Sequence, residues 1–240
     1  MSRRDVYNQT GRGYESGRYG DQHMDSYRGL RNRVITTLLD DSFGDQNLRI
    51  IEVGCGTGLT LDYLARHHPR HVLFGTDFSE TMLAQAATKA RQLPNAPKLS
   101  LGDAGRLPYA DATFDVLIAT RFIHQFSQER KREIWQEFRR VVRPGGMLIV
   151  EFYARPYHWI RYWIGGSKGR SRQGYFDHYP SSSEVRDVVG AQFQLYPLRL
   201  AGSRLLGHAL PELFVNRVTD VAGRALGGLL LDEYFVAARR

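Results

Sequence analysis

The chain has 240 residues, 42% of them hydrophobic and 24% charged, which suits a folded globular protein and excludes a collagen-like, low-complexity or wholly disordered chain. No run approaches the ~18 consecutive apolar residues a membrane-spanning helix needs, and the polar start Met1-Ser2-Arg3-Arg4-Asp5 does not read as an export signal, so a cytoplasmic protein is expected. A formal charge of +8 favours anionic partners, and a single cysteine, Cys55, excludes an internal disulfide and a cysteine-based zinc site.

Residues 1–25 are rich in Gly, Arg and Tyr without helical or strand period, and read as a mobile N-terminal arm. Residues 26–240 read as one domain. From Asp25 to Leu39 the apolar positions Leu30, Val34, Ile35, Leu38 and Leu39 follow a helical stripe, closed by Asp40-Asp41-Ser42-Phe43-Gly44. Strands are then expected at Leu48–Val53, Val72–Thr76, Leu99–Leu101, Phe114–Thr120 and Met147–Tyr153. Helices are expected at Leu59–Arg66, at Ser79–Arg91 with Ser79 as its cap, and at Gln128–Val142, ended by Arg143-Pro144-Gly145-Gly146. This alternation predicts a doubly wound, Rossmann-like α/β fold, a mostly parallel sheet with helices on both faces.

Past Tyr153 the rhythm breaks. Between Phe152 and Phe176 there are five basic residues (Arg155, Arg161, Lys168, Arg170, Arg172) and no acidic one, interleaved with Tyr157, Trp159, Tyr162, Trp163 and Tyr175. Residues 154–180 hold too little apolar sequence for a core of their own, so they read as a lid insertion. A helix at Ser183–Val189, a strand at Phe193–Leu200, a helix around Pro211–Leu226 and a final strand at Leu230–Ala237 complete the chain.

The strongest local signal is Glu52-Val53-Gly54-Cys55-Gly56-Thr57-Gly58, with glycines at every second position between a strand and a helix. Residues without Cβ let the backbone turn tightly and expose N–H groups to a ligand near a helix N-terminus. A dinucleotide fingerprint wants glycine where Leu59 stands, which disfavours a nucleotide-linked oxidoreductase. Asp77 ends the second strand twenty-three positions after Gly54, where a carboxylate can accept hydrogen bonds from ribose hydroxyls. Further on come Leu101-Gly102-Asp103-Ala104, then Leu107-Pro108-Tyr109-Ala110-Asp111-Ala112-Thr113-Phe114-Asp115, then Arg143-Pro144-Gly145-Gly146.

In these four motifs and their order the chain resembles the class I S-adenosylmethionine-dependent methyltransferases over roughly Val34 to Tyr153, in flavour the small-molecule enzymes similar to the quinone-biosynthesis C-methyltransferases. The resemblance implies a seven-stranded sheet with an antiparallel last strand, and S-adenosylmethionine as cofactor. It places Glu52, Gly54, Gly56 and Gly58 around the methionine tail, with Cys55 packing beneath. Asp77 would hold the ribose, Phe78 would lie against adenine, Asp103 would reach the exocyclic amine, and Ala104 would offer backbone contacts. Thr120 and Arg121 would line the floor near the sulfonium, and Arg28 or Arg31 would meet the cofactor carboxylate. Each has a plainer reading: Glu52 as a surface charge, Phe78 as core, Asp103 as a turn former, Arg28 and Arg31 as solvated helix residues. Phe114 and Asp115 are assigned to structure.

Methyl transfer is an in-line displacement, which a protein assists chiefly by alignment, worth ~7–11 kcal/mol where the geometry is near attack. An acidic acceptor makes a base poised near neutral pH useful, and histidine supplies one. His124, just past the fourth strand, is placed best; His158 and His178, in or beside the lid, are further candidates. The expected acceptor is a small aromatic or amphipathic molecule, anionic substituents suiting the basic lid, and no metal is implied. An RNA methyltransferase and a non-catalytic nucleotide-binding module are the competitors. Thr120-Arg121-Phe122-Ile123 stands where an amine-methylating Asn-Pro-Pro-Tyr motif would lie, which disfavours nucleic-acid bases. The charge run Gln128–Arg140 reads as a solvated helix face.

Overall fold

The computed structural model describes Asn8 and residues 22–153, 182–190, 193–200 and 231–240. These fall into two compact units: one runs to Thr120 and takes in Glu137–Met147 and Arg240, and the other comprises Arg121–Gln136 and Leu148–Arg239.

The first unit opens with helix α1, Gln22–Phe43, which begins three residues before the expected Asp25 and buries Ile35, Leu38, Leu39 and Phe43. Gly44 ends it at φ +56, a left-handed conformation that lets its N–H bond to the Asp40 carbonyl at 2.9 Å. Strand β1, Arg49–Val53, pairs in parallel with β2, Val72–Asp77, on one side and β4, Phe114–Ala119, on the other; β3, Lys98–Leu101, extends the sheet from β2. Parallel pairing demands crossovers, supplied by α2, Leu59–His67, and α3, Glu80–Ala90. β1 and β4 are apolar almost throughout because both their faces are covered, with Ile50, Ile51, Val116, Leu117 and Ile118 fully buried. Ser79 caps α3 as expected, its hydroxyl accepting the Met82 N–H.

Helix α4, Gln128–Val141, leads directly into strand β5, Val142–Tyr153. The strand starts five residues before the expected Met147, so Arg143–Gly146 is not a helix-ending turn. Gly145 donates to the Arg240 carbonyl and Arg240 donates back to Gly146, both at 3.1 Å, and a Cβ on Gly146 would lie 2.5 Å from the Asp115 carbonyl. The glycines permit close approach of backbones here. The solvated-face reading of α4 also fails at one position: Lys131 is fully buried, and burial pushes its amine down to about 8. Phe114 is buried, and Asp115 accepts the Arg49 N–H at 2.7 Å and pairs with Arg143, both structural as expected.

In the second unit the end of β5 precedes α5, Ser182–Val189, β6, Gln194–Leu200, and β7, Leu231–Arg239. β6 and β7 run antiparallel from Gln194↔Ala237 to Leu200↔Leu231. α5 is held by α4, through Gln128 Nε2 donating to the Glu184 carbonyl at 2.7 Å and Arg132 Nε donating to Asp187 Oδ2 at 2.9 Å. The seven strands follow the order β3-β2-β1-β4-β5-β7-β6, the first five in the first unit and the last three in the second, with β5 common to both. The expected α/β fold with an antiparallel last strand is what forms. The lid at 154–180, the helix around Pro211–Leu226 and both His158 and His178 lie outside the described residues.

Candidate functional site

At the carboxyl end of β1 the chain enters the glycine loop. Gly54, Gly56 and Gly58 have φ of +71, +53 and +78, where L side chains are strained. Gly54 and Cys55 both donate to the Thr76 carbonyl, at 2.8 and 3.2 Å, which pins the loop to β2. A Cβ on Gly58 would lie 3.1 Å from that of Ala86, whereas a Cβ on Gly56 would meet nothing within 4 Å. The loop is therefore packed against α3 at Gly58 and open above Gly56.

Two buried carboxylates flank it. Asp77 Oδ2 accepts the Gly56 N–H at 2.8 Å and Oδ1 accepts the Ser79 N–H at 2.9 Å; burial raises its pKa, and the backbone hydrogen bonds oppose the rise. Glu52 is 2% exposed, which rules out a surface charge. The Thr120 hydroxyl donates to its Oε1 at 3.1 Å, while Oε2 has no hydrogen-bond partner among the described residues. Burial pushes Glu52 up to about 7, against the Thr60 and Thr120 hydroxyls and the charge of Arg31.

Arg31 is 3% exposed and electrostatically coupled to Glu52, a correction to its reading as a solvated helix residue; Arg28 is half-buried. Cys55 is buried beside Gly75, and burial pushes its thiol well up, so it serves packing. Phe78 is half-buried and so is not a core aromatic, whereas Ala104 is buried. Asp103 is exposed, and its Oδ1 accepts the Gly105 N–H at 2.8 Å, so it forms the turn whatever else it touches. The first unit thus brings together Glu52, the glycine loop, Asp77, Thr120 and Arg31.

Past Thr120, in the second unit, Arg121 has φ +51 and its N–H donates to Glu151 Oε2 at 2.8 Å. His124 lies in the short 3-10 turn Ile123–Gln125, buried, its ring edge-on to Tyr153 at 4.5 Å between centroids. Thr60, Glu151 and the burial of Arg31 escaped the sequence reading. Thr60 belongs to a helix start and Glu151 to an apolar strand, where a carboxylate inside an apolar run is the one signal that could have found it.

Residues 50–146 match the family model described as a methyltransferase domain. Over this span the chain is similar to methyltransferases. The chain is 38% identical over 110 residues to a phosphatidylethanolamine N-methyltransferase of Cereibacter sphaeroides, covering 45% of this chain and 52% of that one. It is 33% identical over 138 residues to a demethylmenaquinone methyltransferase of Deinococcus radiodurans, covering 53% and 56%. The chain spans about half the length of these curated relatives. The fold is also that of a magnesium protoporphyrin IX methyltransferase from Synechocystis solved with bound S-adenosylhomocysteine, at a TM-score of 0.67 and 18% identity over 99% of this chain and 98% of that one.

The residues of the site fit the family's cofactor. Glu52 offers an unused carboxylate oxygen to a cationic group, Gly56 leaves room above the loop, and Asp77 is already fixed by two backbone donors. Among the described residues no cluster could hold a metal ion, and no helix is long and apolar enough to cross a membrane.

Proposed function

We propose that this chain transfers the methyl group of S-adenosylmethionine to an oxygen, nitrogen or carbon atom of a small aromatic or amphipathic molecule. The observation that carries the reading is the pairing of two buried carboxylates, Glu52 and Asp77, with a loop open above Gly56. When bound, the cofactor supplies an electrophilic methyl carbon on a sulfonium.

The rest falls to the chain's own side chains. Glu52, with Thr60 and Thr120 about it, holds the ammonium of the methionine moiety, and Arg31 or Arg28 faces its carboxylate. Asp77 accepts from the ribose hydroxyls while its bonds to Gly56 and Ser79 keep it from rotating. Phe78 lies against the adenine and Asp103 reaches its amine, with Ala104 offering backbone contacts. His124 takes the proton that the acceptor loses, and Thr120 and Arg121 line the floor near the sulfonium. His158 and His178, outside the described residues, are further candidates for that proton in this reading. The names of the relatives specify phosphatidylethanolamine and demethylmenaquinone, and that of the structural neighbour magnesium protoporphyrin IX; these support an amphipathic or planar acceptor over a nucleic acid.

The first test is thermal unfolding of the purified protein with S-adenosylhomocysteine, NADH and NADPH in parallel. A ligand at a hundred times its dissociation constant adds ~2.7 kcal/mol, several degrees for a chain of this size. Stabilisation by S-adenosylhomocysteine alone is expected. A shift with a dinucleotide only would replace the cofactor assignment.

A further inference from the structure

Arg121 is one of two non-glycine residues among those described with positive φ. For an L-residue this conformation is sterically strained and persists only where its surroundings impose it. Both backbone groups of Arg121 are tied: its N–H donates to Glu151 Oε2 at 2.8 Å, and its carbonyl accepts from Gln125 Nε2 at 3.1 Å. Glu151 is fully buried near the end of β5, where an ionisable side chain is costly unless it makes strong bonds. A buried carboxylate oxygen meeting a backbone N–H makes such a bond.

Side chains at i and i+2 of a strand share a face, so Glu151 and Tyr153 project to the same side of β5. They grip one turn at two points. Glu151 holds the backbone of Arg121 at its start, and the Tyr153 ring meets His124 edge-on at 4.5 Å with the ring planes at 87°. The chain reversal at Arg121 leads directly into the 3-10 turn that carries His124.

We propose that Glu151 is a positioning residue: its carboxylate imposes the left-handed conformation on Arg121 and thereby sets His124 against Tyr153 for proton acceptance. This rests on the assignment of His124 as the proton acceptor of the methyl-transfer site.

The test uses protein labelled with 13C in its histidine rings, with the His124 resonance identified by its absence in His124→Gln. Tyr153 displaces that resonance by its ring current in the wild type. Glu151→Gln keeps a carbonyl oxygen for the Arg121 N–H and is expected to preserve the displacement. Glu151→Met fills the same space without that acceptor and is expected to lose most of it. A folded Glu151→Met protein with an unmoved His124 resonance overturns the proposal, as does equal loss in the Gln and Met variants. If Glu151→Met does not fold, the double variant Glu151→Met/Arg121→Gly decides. Glycine takes positive φ without steric cost, so folding is expected to return, and its failure to do so counts against the proposal. Absence of S-adenosylhomocysteine binding to the wild type would sink the cofactor reading, yet the His124 resonance would still report on Glu151.

Discussion

Asp77 accepts a backbone N–H on each carboxylate oxygen, so an amide in its place must turn its NH2 toward one of two donors. Asp77→Asn is therefore expected to weaken S-adenosylhomocysteine binding roughly five- to 150-fold by calorimetry, matching the 1–3 kcal/mol that an unsatisfied buried donor costs. Glu52 shows the opposite economy, since burial leaves it half-protonated at about pH 7. Between its ordinary 4.5 and about 7 the folded state keeps a proton that the unfolded chain has released, so ligand-free stability falls as pH rises through that window. Glu52→Gln is expected to flatten this slope in thermal unfolding. In the wild type, affinity for S-adenosylhomocysteine is expected to increase from pH 6 to pH 8 as the carboxylate ionises opposite the ligand's ammonium; an unchanged affinity would remove Glu52 from that contact.

At the level of elements, the glycine loop works because β2 lets it approach. A Cβ on Gly75 would come within 2.6 Å of Leu61, 2.8 Å of Leu99 and 3.0 Å of Cys55, so α2, β3 and the loop all close upon one backbone position. Gly75→Ala is expected to cost roughly 1–3 kcal/mol, read as a Tm several degrees lower. The sequence reading found the loop glycines through their spacing, but Gly75 stands inside an unremarkable apolar strand. Its role depends on three neighbours remote in sequence. Arg143–Gly146 carried a helix-stop signature, yet those residues join β5, because pairing with Arg240 and close approach to Asp115 outweigh local turn preference.

For the whole molecule, the +8 charge alone would admit RNA as well as an anionic small molecule. If the acceptor is small, labelled oligouridine at near-physiological salt should show no affinity beyond the ~10⁻⁴–10⁻⁶ M typical of non-specific binding, measured by fluorescence anisotropy. Substantially tighter binding would favour the RNA methyltransferase reading.

Strand and helix order, the glycine loop and the family were legible in the sequence because hydrophobic period and glycine spacing are local properties, written in contiguous residues. Burial is not local. That Glu52, Arg31 and Lys131 lie inside, that Thr120 reaches Glu52 across 68 positions, and that Glu151 takes hold of Arg121 across 30, follow only when the sheet brings strand ends together. A charged residue reads as solvent-facing until tertiary packing removes the water around it, and the same removal gives Glu52 a pKa near neutrality.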